Sequence, residues 1–222
     1  MPRKKKSRLK RFFTKKKIGI IVLMIALLTI LFNFRDSIYS PYPSIVIEYR
    51  IRYKQMADLS YLIKLKDYCK YNLSDSIEGL NPFELVIWEH NHLEYPNKTD
   101  ATQNAYLDAH RREMPIEILS ECIWTDGRAL GRCGEFALLY NDLLLANGYE
   151  SRIVVDCSVK TDSRTAGDHV WNEVWLGYWF HLDPTEGAYD EPWLYERNWG
   201  KNINQVYGIQ GDIITDLTNK YK

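Results

Sequence analysis

No acidic residue occurs before Asp36, and no two cysteines are spaced as CxxC. The second absence removes the ligand spacing of zinc ribbons and fingers. Four cysteines remain, Cys69, Cys122, Cys133 and Cys157, few enough that each must be weighed alone. There is no internal repeat, which excludes solenoid and propeller arrays. The first absence splits the chain by charge. Residues 1–17 hold ten Lys or Arg, whereas all 29 acids lie from Asp36 onward against 19 bases, so the body carries about −10. An acidic body lacks the basic patches on which sequence-independent nucleic-acid binding depends, and no nucleic-acid partner is expected.

Charge is also missing from "IGIIVLMIALLTILFNF", residues 18–34. Seventeen residues rising 1.5 Å each reach roughly 25 Å, near the lower limit for a membrane span. With the basic arm 1–17 on its cytoplasmic side, the pattern predicts a single-pass signal anchor, N-terminus in the cytoplasm and the body outside. Residues 35–79 then form a linker and N-terminal extension, and 80–222 the main domain. An external body would allow one disulfide among Cys69, Cys122 and Cys157.

What is present in the body is aromatic weight, 16 Tyr, 7 Trp and 7 Phe, enough for a folded core. "SIVIEYRIRY" (44–53) alternates as a strand would, and Met56 to Tyr68 has helical spacing. A helix is expected from Pro82, after Asn81, and another from Pro115 to before Gly127. After Cys133, apolar residues at Phe136, Leu139, Tyr140, Leu143 and Leu144 recur at three and four, and Gly148 ends the pattern. This predicts a helix over 134–147 with a thiol in its first turn. Strands are expected at 151–156, 169–176 and 180–184, with two more near "QVYGI" and "DIITDLT". One helix followed by antiparallel strands reads as an α+β domain.

A thiol at a helix N-terminus lies at the positive end of the macrodipole among unpaired N–H groups, which favours thiolate, the nucleophilic form. In "GRCGEF" (131–136) the flanking glycines remove Cβ bulk, leaving room for a substrate to approach the sulfur. A nucleophile needs a base and the base an orienter. His169 opens one expected strand and Asp183 closes the next, ends that coincide in an antiparallel pair. The Cys133 backbone N–H is then a natural oxyanion donor. "EHNHLE" (Glu89, His90, His92, Glu94) puts its two histidines on different helix faces, so it reads as a surface patch rather than a metal site.

These segments resemble the transglutaminase-like superfamily, and within it the peptide:N-glycanase branch, whose hallmark is a Cys, His, Asp triad in that chain order on a papain-like fold. Cys133 in "GRCGE" matches the nucleophile, His169 in "DHVW" the base and Asp183 in "HLDP" the orienter. "DEPWLYERNWGK" (190–201) is similar to a stretch specific to that branch, and "VIWEHNHLEY" to the Trp-containing helix ahead of the nucleophile. The resemblance implies that Trp88 lines the cleft, and Glu135 and Trp171, which flank the triad in sequence, are expected as further substrate contacts. The zinc-binding CxxC pairs of the eukaryotic enzymes are missing here.

The resemblance implies a thiol amidohydrolase that takes a protein, peptide or glycopeptide and cleaves the amide joining an N-glycan to asparagine; without CxxC spacing no metal is expected, and no cofactor either. A cysteine peptidase or a cross-linking transglutaminase would use the same triad. A non-catalytic binding module on the same fold would have no need of it.

Overall fold

The computed structural model describes residues 24, 40–97, 99–110, 114–121, 127–157, 169–191 and 205–221. The chain divides into two compact units, Met1–Ile47 and Glu48–Lys222, and the second holds the sheet and the central helix.

The first described helix, α1 (Ser44–Met56), occupies the segment whose alternation predicts a strand. Burial explains the difference. Tyr53 and Met56 are buried and Tyr49 half-buried, a spacing of four and three, while Ile51, which a strand would bury with them, is 51% exposed. The side of the chain that finds a core has helical period. α2 (Leu59–Tyr71) starts where the Asp58 carboxylate accepts from the Ser60 and Tyr61 N–H groups at 2.8 and 3.3 Å. α3 (Pro82–His92) starts at a reciprocal cap. The Asn81 side chain accepts from Phe83 and Glu84 N–H, both at 3.0 Å, and Glu84 Oε2 accepts from Asn81 N–H at 2.8 Å. Proline at the first helical position sacrifices only an N–H that would be unpaired anyway. A short strand, β1 (Leu93–Glu94), leaves α3 and pairs in parallel with β2 (Ala129–Leu130); α4 (Ala101–His110) and α5 (Pro115–Glu121) lie between them in sequence.

α6 (Cys133–Ala146) is the central helix. Gly148, at φ 80°, ends it: Tyr149 N–H reaches back to Leu144 C=O and Gly148 N–H to Leu145 C=O, both at 3.0 Å. This double closure needs the left-handed residue that glycine supplies. Leu139, Tyr140, Leu143 and Leu144 are fully buried and share one core with Leu65 and Cys69 of α2, Leu85 and Val86 of α3, and Val174 and Leu182 of the sheet.

The sheet is antiparallel throughout, in the order β6-β5-β4-β3-β7-β8. Its strands are β3 (Ser151–Asp156), β4 (His169–Trp175), β5 (Trp179–Asp183), β6 (Ala188–Tyr189), β7 (Val206–Gln210) and β8 (Ile213–Asp216). α6 packs across β3 and β4, so the helix that begins with the thiol crosses the strand that begins with His169. The fold is a mixed helix and antiparallel sheet, as the periodicities from residue 133 onward predict.

The membrane expectation does not hold. Among the described residues no helix is long and apolar enough to cross a membrane. Residues 1–17 and, Met24 apart, 18–34 lie outside the described residues. The run of 17 falls short of a ~30 Å hydrocarbon core by roughly 5 Å. A single-pass placement with an external body therefore has no support in the structure. Cys122 also lies outside the described residues, and Cys69 is a buried thiol whose pKa burial pushes up to about 12.

Candidate active site

Cys133 is the first residue of α6 and is half-buried. Ahead of it, Gly131 N–H donates to Glu94 C=O at 3.0 Å, which ties the turn to the end of β1. Arg132 N–H donates to Glu135 Oε2 at 2.9 Å, and the Arg132 guanidinium reaches Asp108 Oδ1 at 2.7 Å and Asn104 Oδ1 at 3.0 Å. The two glycines have a different purpose from the one their spacing suggests. A Cβ on Gly131 would crowd Leu93 and Glu135, and one on Gly134 would collide with the Tyr49 hydroxyl. Each glycine admits a neighbour from the protein itself, which leaves the approach to the sulfur to be set by other groups.

His169 opens β4 and Asp183 closes β5. The register pairs Asn172 with Leu182, so both lie at the same end of the strand pair. His169 Nε2 is 2.6 Å from Asp183 Oδ2. The other carboxylate oxygen, Oδ1, accepts from Thr185 N–H at 3.0 Å and Glu186 N–H at 3.3 Å. The turn that supplies those donors is itself held, because His90 Nε2–H donates to Pro184 C=O at 2.6 Å. With Nε2 engaged by Asp183, the hydrogen bond between His169 and Cys133 falls to the other ring nitrogen, Nδ1.

Burial pulls the His169 pKa down, but the charge and hydrogen bond of Asp183, with those of Cys133, outweigh it and raise the value to about 9. The imidazole is therefore a cation at neutral pH, a form able to donate a proton. Two other buried groups take the opposite form. Burial lowers His181 to about 4, so that ring is neutral. Burial first, and then the charge of Asp183, raises the Glu89 carboxyl well above its ordinary value, so Glu89 stays protonated beside Asp183.

Of the six residues singled out from sequence, Cys133, His169 and Asp183 come together. The other three are placed as support. Trp171 is fully buried, its ring stacked on His169 at 5.6 Å and 26°. Trp88 is buried in the core and stacked on His92 at 4.0 Å, so it does not line an open cleft. Glu135 is buried as the N3 carboxylate of the α6 cap, and burial raises its pKa. The "EHNHLE" stretch is no uniform surface patch, since Glu89 is fully buried while His90 is exposed. Sequence reasoning misses Tyr49 and Tyr95, both of which feel the charge of Cys133. The helical spacing of Tyr49, Tyr53 and Met56 is the signal for the first. Residues 158–168, beside His169, and 192–204, which hold most of "DEPWLYERNWGK", lie outside the described residues.

A helix that begins with a thiol is thus packed on antiparallel strands whose ends bring a histidine and an aspartate to it. Residues 97–184, which include Cys133, His169 and Asp183, match the Transglutaminase-like superfamily. Over 94 residues the chain is 42% identical to a peptide-N(4)-(N-acetyl-beta-glucosaminyl)asparagine amidase of Arabidopsis thaliana, covering 41% of this chain and 12% of the relative. The amidase of that name in Caenorhabditis elegans is also 42% identical over 94 residues, covering 41% and 14%. The chain thus spans roughly an eighth of the length of these curated relatives. Among solved structures, a chain of Rad4-Rad23 bound to a 6-4 photoproduct UV lesion has a TM-score of 0.49 at 15% identity, covering 80% of this chain and 46% of that one.

Proposed function

We propose that this protein is a cysteine-dependent amidase of the peptide:N-glycanase type, which releases an N-glycan from a peptide by hydrolysing the side-chain amide of the glycosylated asparagine. The observation that carries the reading is the 2.6 Å His169–Asp183 pair beside the first residue of α6, Cys133. The amidases to which this stretch is 42% identical support the choice of bond.

Cys133 Sγ attacks the amide carbonyl, and the carbonyl oxygen becomes an oxyanion near the N–H groups that open α6. The imidazolium of His169 gives its proton to the glycosylamine nitrogen as the C–N bond breaks, leaving an aspartyl thioester on the sulfur. His169, now neutral, takes a proton from water as that water attacks the thioester. The thiolate leaves, and asparagine has become aspartate. Asp183 keeps Nε2 protonated and the ring aimed throughout, which is the role its three hydrogen bonds fit it for.

The test is to incubate the full chain with a glycopeptide and with the same peptide bare, then weigh the products, using Cys133→Ala as the control. Released glycan with aspartate at the former attachment site is the expected result. A cut peptide backbone beside intact glycopeptide would assign a peptidase instead, and an isopeptide product a cross-linking enzyme.

A further inference from the structure

Trp171 is held by a chain of hydrogen bonds. Its indole Nε1–H donates to Tyr221 Oη at 2.9 Å, and the Tyr221 hydroxyl donates to Glu173 Oε1 at 2.5 Å. Glu173 is fully buried and faces two cations. Lys220 Nζ lies 2.6 Å from Oε1, and Arg152 Nε donates to Oε2 at 2.5 Å. Those cations are fixed in turn, Arg152 over the Trp179 ring at 4.1 Å and Lys220 by Trp179 C=O at 2.8 Å. Tyr221 is itself fully buried and meets Trp171 edge-on at 4.9 Å.

We infer that Tyr221 is a positioning residue for the Cys133–His169 pair, acting through Trp171. The inference rests on the roles proposed above for Cys133 and His169. Three points carry it. First, polarity runs one way: an indole N–H can only donate, so the hydroxyl must accept from it and donate onward, and the carboxylate between two cations is the acceptor that fixes that direction. The hydroxyl proton is never lost, because burial and the charge of Glu173 hold the Tyr221 pKa well above its ordinary value. Second, Trp171 and Glu173 lie two apart on β4 and share a face of the sheet with His169. An anchor on Glu173 therefore sets the tilt of both rings in that row. Third, His169 begins the strand, where one neighbouring strand, β5, ends at Asp183. His169 keeps its pairing with Asp156 of β3, but the β4–β5 register ends at Asn172 and Leu182, so on that side the stack on Trp171 joins Asp183 in orienting the ring.

A core tyrosine that merely fills space would affect stability and not the reactivity of a sulfur to which it is linked through Trp171 and His169. The experiment uses the full chain as wild type, Tyr221→Phe, Trp171→Phe and the double variant, with His169→Ala for reference. The readouts are the rate of Cys133 alkylation by iodoacetamide at neutral pH and the His169 ring titration by NMR. Iodoacetamide needs no substrate site, so the result is independent of which amide the enzyme cleaves. Tyr221→Phe is expected to slow alkylation roughly tenfold, the rate equivalent of one lost hydrogen bond, and to lower the His169 midpoint as the ring slips from Asp183. Trp171→Phe keeps a ring but loses the N–H and should do the same. The double variant should be no slower than Trp171→Phe alone, because both remove one link.

Multiplicative losses in the double variant, or an unchanged rate and midpoint in Tyr221→Phe, would overturn the inference. Should Tyr221→Phe not fold, Trp171→Phe decides alone, and an unchanged His169 midpoint there is equally fatal. If wild type reacts no faster than His169→Ala, the thiol–imidazole pairing itself is what fails.

Discussion

Replacing Asp183 by asparagine isolates the electrostatics of the site. The side chain stays the same size, and its carbonyl oxygen can still accept from the Thr185 and Glu186 N–H groups that now bind Oδ1. What changes is the atom 2.6 Å from His169 Nε2, which passes from carboxylate oxygen to an NH₂ that cannot accept the imidazole proton. Burial lowers the His169 pKa, and Asp183 is the main group that overcomes it to reach about 9. The gap between about 9 and the ordinary ~6.5 is worth ~3 kcal/mol in favour of the imidazolium. At pH 7.5 the ring is cationic by roughly thirty to one. In Asp183→Asn, with only Cys133 still opposing burial, the midpoint should fall back toward ~6.5, leaving about one ring in ten protonated. Turnover should fall at least ~10-fold at that pH, the loss of the general acid alone. Stability carries the same signature. A pKa raised by folding gives a contribution that is full below ~6.5 and is lost as pH rises through about 9, and Asp183→Asn should lack that loss. NMR titration of the ring, with unfolding measured at pH 6 and pH 9.5, reads both. A wild-type midpoint near ~6.5, or one unmoved by Asp183→Asn, would mean that Asp183 does not control the charge of the ring.

Four further outcomes depend on particular contacts. Gly134→Ala drives a methyl group into the Tyr49 hydroxyl and should cost ~1–3 kcal/mol by thermal unfolding. Tyr49→Phe in that background removes the colliding oxygen and should restore most of the loss; failure to restore would mean the strain lies elsewhere. Cys133→Ser should lower turnover by ~10³-fold or more while leaving the melting temperature nearly unchanged, because the position is half-buried and the fold does not depend on the sulfur. Asn81→Ala removes the acceptor for two N–H groups at the start of α3 and should cost ~1 kcal/mol, checked by denaturant midpoint. Glu89 has its pKa raised by burial and by Asp183, so folding strength tied to it is full below the unfolded value of ~4.3 and falls as pH rises. Glu89→Gln should flatten the stability profile between pH 5 and pH 8 by up to ~1.4 kcal/mol per pH unit, and an unchanged slope would contradict a protonated Glu89.

The sequence is most legible where one face of an element meets one core. α6 shows its buried stripe at three and four and closes on Gly148, and β3, β4 and β5 are short apolar runs set off by turns, so Cys133, His169 and Asp183 fall at their ends on pattern alone. α1 misleads because Ile45, Ile47, Tyr49, Ile51 and Tyr53 alternate by chance, and only burial shows that Ile51 faces solvent. The supporting residues mislead for a different reason. Proximity in sequence says that Glu135 and Trp171 flank the reacting groups, but not which way they turn. Glu135 turns back to cap Arg132 N–H, and Trp171 turns behind the imidazole. That Tyr49, Glu89 and Tyr221 end beside Cys133, Asp183 and Trp171 is set by chain folding between positions far apart, which no local spacing records.

Everything proposed for this site turns on one covalent event, acylation of Cys133 by the substrate while His169 protonates the departing amine. Mass spectrometry of the intact protein, quenched in acid during turnover of a glycopeptide, observes that event itself. The expected spectrum holds a transient species heavier by the deglycosylated peptide acyl group, localised to Cys133 and absent from Cys133→Ala. Steady release of glycan with no such adduct at any time, or an adduct on another residue, would contradict a Cys133 thioester.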